Sequence, residues 1–269
     1  MKKLISYILL AVFIVLLFAG CEKPPAESPD NTSGQLTQPT TQPTQPTIQP
    51  TDPTTQPTEP VIVEDIEGPL AQYVQTAVKE TLKQAKSKYG PGDESTSVRI
   101  PKLLPFSEDA IVAQTEIQAE FDPIIASIRA NYAEGFGTVY EAFDYSAYLN
   151  DSILSLMILI NYMTDDFAYR VYNFDITTGK RLDTHELMTK LQIPDYTEAF
   201  TRIAKKKYEE DNQHQQDNDD YASQLAKTIA KENIEKAIPY IAEDGKVMVV
   251  IKIYAFVGTD YHFKAIPLS

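Results

Sequence analysis

Residues 22–60 cannot form a packed structure, and this confines folding to the remainder of the chain. Ten of the 18 prolines and ten threonines fall within these 39 residues. The unit Thr-Gln-Pro recurs at Thr37, Thr41, Thr44 and Thr55, with variants Thr51-Asp52-Pro53 and Thr58-Glu59-Pro60. Leu36 and Ile48 are almost its only large apolar residues. Such a stretch buries too little surface to offset the entropy of ordering it. Its prolines favour polyproline II, a semi-rigid spacer with a reach of at most roughly 120 Å at ~3.1 Å per residue. Residues 21–60 therefore read as a stalk, and residues 61–269 as the folded part, with a division into subdomains at about 61–165 and 166–269 as one option.

What precedes the stalk reads as a targeting segment. Met1-Lys2-Lys3 is a positive start, Leu4 to Phe18 is uncharged and apolar apart from Ser6, and Leu17-Phe18-Ala19-Gly20-Cys21 follows. A positive start, an apolar run near 15 residues and small residues before the cut describe a secretory signal. Small residues followed by cysteine form a bacterial lipobox, with Phe18 where leucine is usual. The chain has a single cysteine, and it stands at this position. The expectation is a signal peptide over 1–20, lipid on Cys21, and an extracytoplasmic protein anchored to the cell membrane. Two acyl chains suffice for stable anchoring.

The charge excludes some partners. The chain carries 38 acids against 24 bases, a net charge of −14, of which −12 belongs to residues 61–269. Nucleic-acid binding needs surplus Lys and Arg to neutralise phosphates, so no nucleic-acid partner is expected. One cysteine forms neither an internal disulfide nor a cysteine-cluster metal site.

Periodicity predicts the elements of the folded part. Pro69 to Lys88 reads as a helix, with Leu70, Tyr73, Val74, Ala77, Val78 and Leu82 at helical spacing and Gly90-Pro91-Gly92 as its stop. Ser97 to Leu103 reads as a strand. Ser107 to Ala130 reads as a second helix, with Ile117, Phe121, Ile124, Ile125 and Ile128 on one face and Pro123 as a kink or break. Thr138 to Tyr148, Ile153 to Ile160 and Phe167 to Phe174 read as strands, the middle one apolar enough for the centre of a sheet. Thr177 to Lys180 supplies a turn into Arg181-Leu182, and Asp183 with Glu186 makes a capping pair for a short helix. Tyr196 to Tyr208 and Tyr221 to Ala237 read as helices around a solvated acidic stretch. Val247 to Phe256 and Tyr261 to Ile266 read as a terminal strand pair entered through an Asp244-Gly245 turn. The class is α+β, a mostly antiparallel sheet packed against helices.

Several of these segments carry a family resemblance. Tyr145-Ser146-Ala147-Tyr148, Ser152 to Leu156, Tyr172-Asn173-Phe174-Asp175 and Thr178-Gly179-Lys180 resemble a bacterial extracytoplasmic module of unknown function. It occurs in the RsiV anti-sigma factor and ahead of the catalytic domain of PdaC-type peptidoglycan deacetylases. Ile100-Pro101 fits its beginning; Tyr240, Asp244-Gly245, Val249-Val250, Ile253-Tyr254 and Ile266-Pro267-Leu268 fit its end. The resemblance spans roughly residues 97–268, and its motif residues Asn173, Phe174, Asp175, Gly179, Lys180, Tyr254 and Pro267 are read as structural. It implies an α+β ectodomain that meets cell-wall glycan or proteins acting on it; in RsiV the module binds lysozyme and controls cleavage of the anti-sigma factor. Only Met1-Lys2-Lys3 precedes the apolar segment here, and the chain stops where the module does. Neither a direct anti-sigma role nor deacetylase catalysis is therefore expected.

Candidate chemistry is sparse. His185, His214 and His262 lack metal-ligand spacing, and no Gly-x-Ser-x-Gly elbow occurs. Asp165, Asp166, Asp175 and Asp260 supply carboxylates that only an unknown fold could pair. Asp217-Asn218-Asp219-Asp220 lacks the central glycine and distal glutamate of a calcium loop. Gly135-Phe136-Gly137 reads as a turn, and Lys205-Lys206-Lys207 with Glu209-Glu210 as a solvated helix face. No cofactor, metal or catalytic residue is expected. The acidity of the domain points instead to a cationic partner, a lysozyme-like protein, or to wall glycan. A wall-modifying hydrolase and a structural envelope protein are the alternatives.

Overall fold

The computed structural model describes residues 66–85, 87, 94–164, 166–255 and 260–269. Cys21, the signal segment, the stalk and Asp165 lie outside the described residues.

A short 3-10 helix, Gly68–Gln72, leads into β1, Val74–Lys83. This corrects the helix expected over 69–88. β1 pairs antiparallel with β2, Ser95–Leu103, through a bulge between Thr76 and Val78. Helix α1, Glu108–Ala133, then crosses to β3, Tyr140–Asn150, which runs parallel to β2 over Ser97–Ala142 and Val98–Phe143. A parallel pair needs such a crossover. β4, Ile153–Tyr162, β5, Phe167–Asp175, and β6, Lys180–Leu182, continue the sheet as antiparallel neighbours in the order β1-β2-β3-β4-β5-β6. β4 and β5 are thus hydrogen-bonded neighbours in one sheet.

α1 forms for local reasons. Ser107 caps it by accepting from the Ala110 amide at 3.1 Å, and Glu108 and Asp109 face the positive end of the helix dipole. Ala110, Ala113, Ile117, Phe121, Ile125, Ile128 and Tyr132 recur every three or four residues and are all buried. The helix runs through Pro123 without a break. Its buried face meets Phe143, Leu154, Leu156, Ile158 and Phe174 of the sheet, with Phe121 edge-on to Phe143 at 5.9 Å.

The second half is smaller. α2, Thr184–Lys190, starts with the expected capping box: Asp183 accepts from the Glu186 amide at 2.8 Å, and Glu186 accepts from the Asp183 amide at 3.2 Å. α3, Tyr196–Asp211, is followed by an exposed loop. The single helix expected over 221–237 is instead α4, Tyr221–Thr228, and α5, Lys231–Ile234. The chain bends between them because Asn233 turns inward and donates to the Thr228 carbonyl at 2.6 Å and the Lys252 carbonyl at 2.9 Å. β7, Ile238–Ile241, β8, Val247–Tyr254, and β9, Tyr261–Pro267, form a three-stranded antiparallel sheet. Its β7 strand was not anticipated, because Pro239 in a four-residue run reads against a strand. Gly245 turns β7 into β8 at φ +75°, a backbone region that glycine adopts freely. Val249, Ile251 and Ile253 bury against Phe200, Ile203, Ala204 and Tyr208 of α3.

The two sheets meet at β7. Ile153, Leu187 and Ile241 form a small apolar cluster between them. Ser155 of β4 accepts from the Ile241 amide at 3.0 Å and donates to Asn173 Oδ1 at 2.7 Å. Asn173 of β5 donates to the Pro239 carbonyl at 2.8 Å. Thr184 donates to the Ala237 carbonyl at 3.2 Å and Asn150 to the Ala242 carbonyl at 3.1 Å. Side chains thus cover the free edge of β7, which would otherwise invite another strand. Pro239 lacks an amide on the edge where no ladder bond is needed.

Candidate functional site

An open groove of about 550 Å³ lies where α1, β5, β6, α2 and β7 converge. Val112 of α1 and Ile238 of β7 contribute its most exposed apolar surface, at 55% and 38% exposure, and Ile111 beside Val112 is 51% exposed. These are three of the five large apolar side chains most exposed among the described residues. Scattered exposed apolar residues need no explanation, but Val112 and Ile238 share one depression, as apolar residues of a contact surface do.

Three carboxylates and one guanidinium rim the groove: Asp109, Asp183, Glu186 and Arg181. Each is held in place. Asp109 accepts from the Arg181 backbone amide at 2.7 Å, which ties the start of α1 to β6. Arg181 reaches back to Glu116 at 2.8 Å and lies over the Tyr172 ring at 4.8 Å. Burial, then the nearby Glu116 carboxylate, pushes the Tyr172 phenol up to about 12, so it stays neutral. Lys180 pairs with Glu186 and holds its carboxyl below the usual range, while Glu186 raises the ammonium of Lys180. The rim is preorganised and carries more negative than positive charge.

The motif residues frame this groove more than they furnish chemistry. Asn173, 4% exposed, lines its floor while holding β7. Phe174 is buried against Phe106 edge-on at 5.4 Å. Asp175 accepts from the Thr177 amide at 3.0 Å and from Lys190 Nζ at 2.9 Å, and the Lys190 bond is the main reason its carboxyl lies below the usual range. Gly179 takes φ +75° and returns its amide to the Asp175 carbonyl at 2.7 Å. Tyr254 and Pro267 lie apart from the groove. The Tyr254 amide donates to Thr228 at 3.1 Å, and Pro267 lines a separate groove of about 570 Å³ beside Arg202 and Lys206. Val112 and Ile238 were missed because two apolar residues 126 positions apart have no sequence signal in common.

The other candidates disperse. His185 lies in α2 near Tyr196, His214 in the exposed loop after α3, and His262 pairs with Asp166 at 3.3 Å. Asp166 also caps the Phe167 amide at 2.9 Å, and Asp175 belongs to Lys190. Asn218 accepts from the Asp220 amide at 2.9 Å as part of a loop turn. The Lys205–Lys207 run makes ion pairs one turn along α3, Lys207 with Asp211 at 2.6 Å. Gly135 occupies a left-handed turn at φ +78°. Aromatic rings on β8 and β9 are already covered, with Lys252 3.9 Å above Tyr261. Among the described residues, no three His, Cys, Asp or Glu side chains gather as a metal site would require.

Among the described residues the fold is α+β, with two mostly antiparallel sheets and a groove at their junction. No known family and no curated protein matches the sequence. Among solved structures, a crystal structure of a DUF3298 family member from Bacteroides fragilis is similar over 52% of this chain and 68% of that one, at 14% identity and a TM-score of 0.25.

Proposed function

We propose that this chain is a lipid-anchored, extracytoplasmic binding protein that captures a cationic, wall-associated protein of the lysozyme type. The observation that carries this reading is the groove itself: Val112 and Ile238 exposed within a rim of Asp109, Asp183 and Glu186. An apolar centre with a charged rim has the anatomy of a protein–protein contact. The net charge of −12 on residues 61–269 would steer a basic protein towards it and raise the association rate. A lipid on Cys21 and a stalk over residues 21–60, as the sequence leads one to expect, would hold such a domain away from the membrane and within reach of the wall. The resemblance to the RsiV and PdaC-type module supports the same partner class.

The test is binding of the full chain in detergent to lysozyme at low and high salt. Saturable binding that weakens as salt rises supports the proposal, since salt screens exposed charge. Absence of binding at low salt refutes the lysozyme-type partner. Mass spectrometry of the membrane fraction tests the anchor: acylation at Cys21 is expected, and Cys21→Ser should release the protein.

A further inference from the structure

Where α3 packs on the end of β9, the second core reaches the surface. The groove there, of about 570 Å³, has the size of a small-molecule site, roughly 300–1,000 Å³. Ile203, Ile266 and Leu268 line it and belong to the same apolar cluster as Phe200 and Val249. Among the described residues, four apolar core residues keep 7% or more of their surface exposed, and these are three of them, at 7%, 8% and 9%. Exposed Pro267 stands between Ile266 and Leu268 and extends the apolar wall.

The wall formed by α3 is basic. Arg202, Lys206 and Glu210 are four apart and share one row along the helix, with Lys207 beside them. The chain has five arginines. Arg99, Arg129, Arg170 and Arg181 each pair with a carboxylate. Arg202 pairs with none among the described residues, the carboxylate of Ser269 at the end of the groove included. Lys206 meets Glu210 only at 3.8 Å, between two exposed side chains, a contact worth little in water. Lys207 is committed to Asp211 at 2.6 Å. Two cations are thus available to a ligand at the rim of an apolar depression, in a domain whose net charge is −12.

We propose that this groove binds a single-chain anionic amphiphile, with an alkyl or acyl tail over Ile203, Ile266 and Leu268 and a carboxylate or phosphate head between Arg202 and Lys206. An arginine fork and a lysine ammonium match such a head through charge-assisted hydrogen bonds. The tail needs no polar partner, and the walls offer almost none. Ser269 is the one neutral polar residue that lines the groove. The hydroxyls of a sugar or the amides of a peptide would therefore be buried there without side chains to meet them. The charge preference is the reverse of that at the acid-rimmed groove beside β7, and the proposal does not depend on a lysozyme-type partner.

The test is methyl NMR of the full chain in phosphatidylcholine nanodiscs, titrated with decanoate and, separately, with decyl phosphate. Saturable shifts are expected at the methyls of Ile203, Ile266 and Leu268, and none at Ile238 in the other groove. Decanol lacks the charge and acetate lacks the tail, so each should bind at least about tenfold more weakly than decanoate. Arg202→Gln should weaken decanoate about tenfold and Lys206→Gln several-fold, since each removes one charged contact with the head. Both residues are exposed, so both variants should keep the wild-type spectrum. Lys205→Gln, exposed and outside the groove, should change nothing. Partition of decanoate into the discs is common to all variants and cancels in their ratio. Phosphatidylglycerol discs without decanoate distinguish the sources: shifts at the same methyls place a bilayer lipid in the groove, and shifts with decanoate alone place a free amphiphile there. Decanol binding as tightly as decanoate, wild-type affinity in both Arg202→Gln and Lys206→Gln, or no shift at Ile203 and Ile266 would overturn the proposal.

Discussion

Asn173 and Pro239 are 66 positions apart, and the side-chain amide of the first donates to the backbone carbonyl of the second at 2.8 Å in a buried setting. Ser155 completes the link by donating to Asn173 and accepting from Ile241. Two side chains on adjacent strands of one sheet therefore hold the edge of the other. Asn173→Ala leaves the Pro239 carbonyl without its donor and the Ser155 O–H without its acceptor. Ser155→Ala leaves the Ile241 amide unpaired. Each should cost about 1–3 kcal/mol in urea denaturation, the penalty for stranding a buried polar group. The double variant should cost less than the sum, because the two residues act in one network. Strict additivity would mean that the two do not act together.

Gly179 and Gly68 provide a matched comparison. Both have positive φ, +75° and +74°. A Cβ at Gly179 would stand 2.6 Å from Ser107 Cβ, whereas nothing lies within 4 Å of one at Gly68. Gly68→Ala should therefore cost about 1–2 kcal/mol, from backbone strain alone. Gly179→Ala should cost more, because Ser107 must move and Ser107 caps α1. Losing that cap adds about 1 kcal/mol. Thermal melts of both variants decide it, and equal losses would show that Ser107 yields without losing its cap.

What was legible in the chain follows from how far apart the deciding residues are. α1 was readable because its cap at Ser107 and its stripe from Ala110 to Tyr132 are local. The Asp183–Glu186 capping box and the turn at Gly179 were readable for the same reason. β1 was misread because Val74, Val78 and Leu82 are four apart, a spacing that suits a strand's period of two as well as a helix's turn. Pairing with β2 decided it, and that pairing is not local. The bend between α4 and α5 depends on Asn233 reaching the Lys252 carbonyl, 19 positions away. The groove was the least legible feature: α1, β6 and β7 supply it from three distant segments.

Asp175 makes a pH-dependent contribution. Its carboxyl lies below the ordinary value when folded, chiefly through the hydrogen bond from Lys190. A lowered carboxylate stabilises the folded chain at pH values above the unfolded pKa of about 3.9. That contribution falls away as the pH drops through the folded value. The wild type should therefore melt above Asp175→Asn at pH 7, and the gap should narrow below about pH 4. Melting curves at pH 7, 5 and 3 test this, and a constant gap would assign the effect to packing.

The groove can be separated from the general acidity of the domain. Val112 and Ile238 are exposed, so Val112→Lys and Ile238→Lys should change stability by no more than about 0.5 kcal/mol. Each places a positive charge where a cationic partner would dock, and each removes apolar contact area. Affinity for lysozyme should fall at least tenfold, mainly through faster dissociation, because contact losses act on the off-rate. Thr197→Lys adds the same charge at an exposed position of α3 that does not line the groove. It should slow association slightly and leave dissociation unchanged, since remote charge acts on encounter. If Thr197→Lys weakens binding as much as Val112→Lys, long-range charge alone recruits the partner and the groove is not the point of contact.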